Sequence, residues 1–248
     1  MKDPVFEGVA TAIVTPFNQG TIDFPVMNRL LDLQLAAGVD AIVVCGTTGE
    51  AATLSYNERM ALIERCVRTV DRRVPVIAGS GTNSTASSIA LSKAAQSAGV
   101  DALLTVTPYY NKASQSGLVQ HFSAIADAVD IPVILYNVPS RTGVGCTVQT
   151  YQALAKHPNI AGVKEASDNF DLIQDTLNLC PLGFTVWSGN DGSTAAIMVL
   201  GGKGVISVAA NVVPREMHEL TQLCLKNRFL EAGALQLNLP ELVRALFC

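Results

Sequence analysis

Eight short apolar, β-branched runs, each followed by a stretch of helical spacing, constrain this chain more than any other feature. They are Val9 to Val14, Ala41 to Cys45, Val74 to Ala78, Ala102 to Val106, Val133 to Tyr136, Ile160 to Lys164, Thr185 to Ser188 and Gly204 to Val208. Their recurrence at roughly 20 to 34 residues is the mark of repeated βα units. Ala37-Gly38-Val39-Asp40 and Ala98-Gly99-Val100-Asp101 lead into the second and fourth runs, and Pro75 and Pro132 stand at the third and fifth. Both devices stop a helix before a strand begins. Strands apolar on both faces belong in a parallel sheet covered by helices. Eight such units close into a (β/α)8 barrel, the TIM barrel, whereas a doubly wound sheet would usually need fewer strands and a phosphate-binding glycine turn after the first. Gly79-Ser80-Gly81 is no dinucleotide fingerprint, because it follows the third run and lacks the third glycine; a tight turn is expected there.

Composition narrows the function. At 248 residues, 49% hydrophobic and 15% charged, the chain suits one barrel domain. A net charge of -4 leaves no electrostatic footprint for nucleic acid or an anionic membrane. Cys45, Cys66, Cys146, Cys180, Cys224 and Cys248 are scattered, without a C-x-x-C pair or a neighbouring histidine, so no metal site is expected and a reducing compartment fits. The stretch from Met1 to Gly8 carries Asp3 and Glu7 rather than a signal sequence, and no uninterrupted apolar stretch reaches about eighteen residues. A cytoplasmic protein of small-molecule chemistry is expected. Residues 1–228 read as the barrel and 229–248 as a partial C-terminal helical extension, with a helix from about Pro214 to Lys226 and another ending at Leu246-Phe247-Cys248.

In such a barrel the active site lies at the carboxyl ends of the strands. Lys164 closes the apolar run Ile160-Ala161-Gly162-Val163. Burying an amine there disfavours its charged form, which turns a surface cation into a nucleophile for a carbonyl; a lone lysine so placed would otherwise snorkel to water. Other runs deliver Gly46-Thr47-Thr48-Gly49-Glu50, Thr107-Pro108-Tyr109-Tyr110-Asn111, Tyr136-Asn137-Val138-Pro139-Ser140-Arg141-Thr142-Gly143 and Gly189-Asn190-Asp191. Two glycines around two hydroxyls form either a plain turn or a cradle for a carboxylate. A phenol near an imine-forming lysine can move protons, and an arginine fork matches a carboxylate. The combination carries more than any member.

Gly46-Thr47-Thr48-Gly49-Glu50, the Tyr136 to Gly143 stretch and Gly162-Val163-Lys164-Glu165-Ala166-Ser167 resemble the motifs of the dihydrodipicolinate synthase family, also called 4-hydroxy-tetrahydrodipicolinate synthases. The resemblance covers almost the whole chain. It implies a pyruvate-dependent class I aldolase on a (β/α)8 barrel, condensing pyruvate with L-aspartate 4-semialdehyde on the way to diaminopimelate and lysine. By the same resemblance Lys164 forms the imine, and Tyr136 shuttles protons through Thr47 to Tyr110 of a neighbouring subunit in a homodimer or homotetramer. Thr47 and Thr48 hold the pyruvate carboxylate, Arg141 that of the semialdehyde, and the main chain at Gly189 and Ile206 lines the pocket. No metal or dissociable cofactor is implied, since the lysine supplies the electron sink. N-acetylneuraminate lyases and keto-deoxy sugar acid aldolases share the lysine and tyrosine, but Arg141 and the context of Lys164 favour the synthase; a non-catalytic relative, the other alternative, would be expected to have lost the lysine, tyrosine or arginine, and only the short carboxyl end speaks for it.

Two departures accompany the resemblance. Lysine-inhibited members use a histidine and a glutamate where Tyr56 and Ser87 stand, although Asn83 and Tyr109 remain, so weak or absent feedback by L-lysine is expected. Family members also usually continue for roughly another forty residues. An exposed apolar face at Leu235, Leu239, Leu242, Leu246 and Phe247, with lowered stability and activity, is therefore expected.

Overall fold

The computed structural model describes residues 3–247; Met1, Lys2 and Cys248, which the sequence reading included, lie outside the described residues. Strands β1 (Gly8–Ala12), β2 (Ala41–Val44), β3 (Val76–Gly79), β4 (Ala102–Val106), β5 (Val133–Asn137), β6 (Ile160–Glu165), β7 (Thr185–Ser188) and β8 (Gly204–Ser207) form one closed parallel barrel in sequence order, β8 pairing with β1. The fold is therefore the (β/α)8 barrel that the eight runs predict. Around it stand α1 (Phe24–Ala36), α2 (Tyr56–Val70), α3 (Thr85–Ser97), α4 (Gln115–Ala126), α5 (Pro139–Thr142), α6 (Val148–Leu154), α7 (Phe170–Leu179) and α8 (Thr194–Val199). Then α9 (Pro214–Leu225), α10 (Phe229–Gln236) and α11 (Pro240–Leu246) follow β8.

The repeated Ala-Gly-Val-Asp segment does the same three things twice. Gly38 (φ +85°) and Gly99 (φ +90°) take the left-handed conformation that turns the chain off the end of a helix. Val39 and Val100 are buried in the core. Asp40 then accepts from the Val9 amide at 2.8 Å, and Asp101 from the Val76 amide at 2.7 Å, tying each new strand to the first residues of its neighbour. Helix α2 starts on a capping box, with Ser55 accepting from the Glu58 amide and Glu58 accepting from that of Ser55.

Strand alternation divides the core in two. Val9, Ile42, Val44, Leu103, Leu135, Val163 and Val186 point outward into the layer under the helices. Ala10, Val43, Ile77, Leu104, Ile134 and Ile206 fill the barrel interior. Trp187 closes the amino-terminal end: its ring stacks on Phe6 at 5.2 Å between centroids, and its indole donates to the Phe6 carbonyl at 3.1 Å.

Several expectations are corrected. Gly79 and Gly81 make no turn; a Cβ on Gly79 would lie 1.9 Å from the Cys45 carbonyl oxygen, and one on Gly81 would lie 2.4 Å from the Val106 nitrogen. These glycines exist because neighbouring backbones pass too close for a side chain. The fifth and sixth strands run on to Asn137 and Glu165, because those two residues pair across β5 and β6. The apolar face expected near the carboxyl terminus is largely covered. Leu239 is 4% exposed and Leu235 and Leu246 pack against the core, leaving Leu242 partly buried and Phe247 half exposed. Helix α11 folds back against the segments after β7 and β8, and the open apolar side chains are instead Leu230 and Leu237 on the outer side of α10. No helix among the described residues is long and apolar enough to cross a membrane.

Candidate active site

The carboxyl ends of β2 to β5 and the loops after them line a cavity of about 350 Å³. Tyr136, Thr47, Arg141, Tyr109 and Arg59 contribute to its wall. A larger recess, about 790 Å³, lies at the opposite end around Phe6, Asp40 and Pro75, and none of the candidate residues lines it. Three of the candidate residues, Tyr136, Thr47 and Arg141, line the smaller cavity.

Lys164 is the fifth residue of β6, and alternation with Val163 and Glu165 turns its side chain into the barrel. It is 5% exposed. Its register partners are Tyr136 on β5 and Trp187 on β7, and its Nζ stands 4.3 Å from the centroid of the Tyr136 ring. A cation over a phenol face at this distance is attracted by the ring. Tyr136 is itself 6% exposed and faces the cavity.

Thr47 comes from the loop after β2, in which Gly49 is constrained by close approach: a Cβ there would lie 3.0 Å from the Ile13 carbonyl oxygen. The Gly49 carbonyl accepts from the Thr15 hydroxyl at 2.7 Å, which fixes this loop to the end of β1. Arg141 projects from α5, a single turn opened by Pro139 and closed by Gly143 at φ +72°. Beside it the buried Thr142 hydroxyl donates to the Val144 carbonyl at 2.8 Å, which holds the turn in place under an exposed guanidinium.

Tyr136, Thr47 and Arg141 thus share one cavity wall, and Lys164, which does not itself line the cavity, stands against the Tyr136 ring. Thr48 is half-buried beside Thr47 and does not line the cavity. Gly189 follows β7, its amide donating to the Glu165 carbonyl at 2.7 Å, and Ile206 is fully buried in β8; neither lines this cavity. Tyr110 is 90% exposed with φ at +77°, projecting away from the cavity of its own chain. A bulky residue at that φ stores backbone strain of about 1–3 kcal/mol.

Two buried carboxylates, Asp191 and Glu165, which the sequence places at strand ends without assigning them a role, brace the strands around the site. Asp191 accepts from the Ser207 hydroxyl at 2.5 Å and from the Val208 and Ala209 amides at 3.1 and 2.9 Å, pinning the chain after β7 to the end of β8. Glu165 lies behind Lys164 and accepts from Asn137, Tyr151 and the Ser167 amide. Burial pushes the Glu165 carboxyl above the usual carboxylate range, and the bonds from Tyr151, Ser167 and Asn137 pull against that shift. Period-two alternation from Tyr136 and Lys164 was the signal that would have found it. Among the described residues no group of three or more His, Cys, Asp or Glu is placed to hold a metal ion.

A 4-hydroxy-tetrahydrodipicolinate synthase of Acetivibrio thermocellus is 45% identical over 247 residues, spanning all of this chain and 84% of that protein. The crystal structure of dihydrodipicolinate synthase from Aquifex aeolicus superposes with a TM-score of 0.96 at 43% identity, covering 98% of this chain and 83% of the other. A chloride-inhibited dihydrodipicolinate synthase from Acinetobacter baumannii, solved in complex with pyruvate, gives 0.95 at 42% identity over 98% of this chain and 84% of its own. The model of the dihydrodipicolinate synthetase family matches residues 5–248, and the chain belongs to that family.

Proposed function

We propose that this chain is a Schiff-base-forming lyase that condenses pyruvate with L-aspartate 4-semialdehyde to 4-hydroxy-tetrahydrodipicolinate, in the diaminopimelate route to lysine. The observation that carries this reading is Lys164, buried against the Tyr136 ring beside a cavity that Thr47 and Arg141 share. The pyruvate held by the Acinetobacter baumannii relative supports it.

The chemistry follows from those groups. The Lys164 amine adds to the C2 ketone of pyruvate, and the carbinolamine loses its oxygen as water once Tyr136 has delivered a proton to it. The resulting iminium withdraws electrons from the methyl group, which gives up a proton to the Tyr136 phenolate left by that step and forms an enamine. That carbon attacks the aldehyde of the second substrate, whose oxygen takes a proton through Tyr136. The substrate's own amine then displaces Lys164 from the imine carbon, closing a six-membered ring and freeing the enzyme. Thr47 on the cavity wall, with Thr48 beside it, binds the pyruvate carboxylate; Gly189 and Ile206, outside that cavity at the ends of β7 and β8, present main chain to the imine on Lys164; and the Arg141 guanidinium receives the carboxylate of the semialdehyde. The exposed, strained Tyr110 serves the site of a second copy, so the working species is a homodimer or homotetramer. We place it in the cytoplasm, with residues 1–228 as catalytic barrel and 229–248 as helical extension.

Initial rates with pyruvate and either L-aspartate 4-semialdehyde or N-acetylmannosamine, read by mass spectrometry of the product, test the assignment. Turnover of the semialdehyde with little of the sugar is expected. Preference for the sugar would assign the chain to the neuraminate lyase type.

A further inference from the structure

Lys164 and Tyr136 face each other inside the barrel, and their successors Glu165 and Asn137 face each other on the outer side of the same two strands. The Asn137 amide donates to both Glu165 oxygens, at 2.9 and 3.1 Å. The Ser167 amide adds a bond to Oε1 at 2.9 Å, and the Tyr151 hydroxyl on α6 adds one to Oε2 at 2.6 Å. Asn137 passes the connection on, since its Oδ1 accepts from the Cys146 amide at 3.1 Å. That bond closes the segment from Val138 to Cys146, which carries Arg141.

Glu165 is 2% exposed, and no ion pair among the described residues includes it. A buried carboxylate without a cation is a poor device for stability alone, because an apolar side chain of similar volume would pack there with less desolvation. What it does supply is four converging acceptor directions. Asn137, Tyr151 and Ser167 use all of them, and they belong to β5, α6 and the loop after β6.

We infer that Glu165 is a positioning residue for the imine chemistry: through Asn137 it fixes the register of Tyr136 against Lys164 and holds the loop of Arg141, without touching substrate. This deepens the function proposed above and rests on it. Its consequence is that the reaction geometry is set from behind the strands, by a hydrogen-bonded clamp facing the helices rather than the cavity.

The test is the rate of imine formation with pyruvate, read by borohydride trapping and expressed per folded protein, for the parent and three variants. Glu165→Gln keeps an oxygen for Asn137 and Ser167 and turns its amide to the Tyr151 oxygen, so it should react within about threefold of the parent. Glu165→Ala leaves all three donors unpaired and should react roughly tenfold to a hundredfold more slowly, the scale set by misplacing reacting groups by up to about 1 Å. Asn137→Asp sets two carboxylates face to face, which forces them to share a proton. Its imine formation should approach the parent rate at low pH and fall as pH rises, beyond any fall in the parent. The other titratable groups against this pair are Tyr151 and Cys146, both shifted upward by burial, and both stay protonated over that range. The Asn137→Asp profile also carries the test if Glu165→Ala does not fold.

Folded Glu165→Ala reacting within twofold of the parent, or Asn137→Asp following the parent's pH profile, would overturn the inference while leaving the functional reading intact. A parent that traps no pyruvate would overturn both.

Discussion

Gly162→Ala tests whether the barrel wall and the site are one structure. A Cβ at Gly162 would lie 1.9 Å from the Thr185 carbonyl oxygen and 2.7 Å from its carbon and nitrogen, well inside the 3.0 Å that real Cβ atoms respect. The obstacle is the backbone of β7, so no rotamer change relieves it. Gly162 pairs with Thr185, and two residues further on Lys164 pairs with Trp187. Prising β6 from β7 therefore combines an overpacking cost of about 1–3 kcal/mol with the loss of about two strand hydrogen bonds worth about 1 kcal/mol each. The sum, about 3–5 kcal/mol, corresponds to a fall in melting temperature of roughly 6–20 °C for a domain of this size. Lys164 moves with its strand, so trapping of pyruvate should slow at least about tenfold, equivalent to about 1.4 kcal/mol. Gly192→Ala is the control, since nothing lies within 4 Å of a Cβ there. Differential scanning fluorimetry and borohydride trapping read both effects. A Gly162→Ala protein melting within 2 °C of the parent (about the effect of 1 kcal/mol or less) would refute the reasoning.

Three further outcomes are expected. Gly233 lies inside α10 with open space around its Cβ direction, so Gly233→Ala should stabilise the protein by about 0.5–1 kcal/mol in a urea melt; a destabilisation of that size would count against the helix. Burial pushes the Cys45 thiol from 9.0 to about 12, and burial with the nearby Glu165 charge does the same to Cys146. A thiol pKa raised on folding contributes stability that is whole below the unfolded value and is lost as pH climbs toward the folded one, so each thiol should remove about 1.4 kcal/mol per pH unit above 9. Urea midpoints at pH 8 and 10 that coincide would contradict this. Tyr56 and Ser87 are both exposed and offer no carboxylate to the ammonium of L-lysine, a contact worth about 1.5–3 kcal/mol where it exists. Weak or absent inhibition by L-lysine is therefore expected in an initial-rate assay, and half-inhibition at sub-millimolar L-lysine would contradict it.

Much of this architecture is legible in the sequence because parallel strands buried on both faces are written as unbroken β-branched runs. Val133 to Tyr136 and Ile160 to Lys164 mark their strands to within one residue. The placement of Lys164 is legible too, since a lysine ending such a run has one route into the barrel. What the residues do not spell out is register. A shift between Val133 and Ile134 makes Ile134 pair with Gly162 rather than Ala161, and only that offset sets Tyr136 opposite Lys164 and Asn137 opposite Glu165. Close backbone approach is equally silent: Gly79 reads as a turn glycine and is in fact a strand residue pressed against Cys45. The burial of Leu239 depends on where α11 folds back, a tertiary choice that periodicity within one short helix does not determine.

The central claim is that the Lys164 amine carries the reaction. Incubation with pyruvate, reduction with borohydride and peptide mass mapping tests it directly. The account predicts a single pyruvate-derived adduct on the peptide containing Lys164, absent from a Lys164→Ala variant. Folded protein that gains no adduct, or gains it equally at Lys203 and Lys226 on the surface, would contradict it.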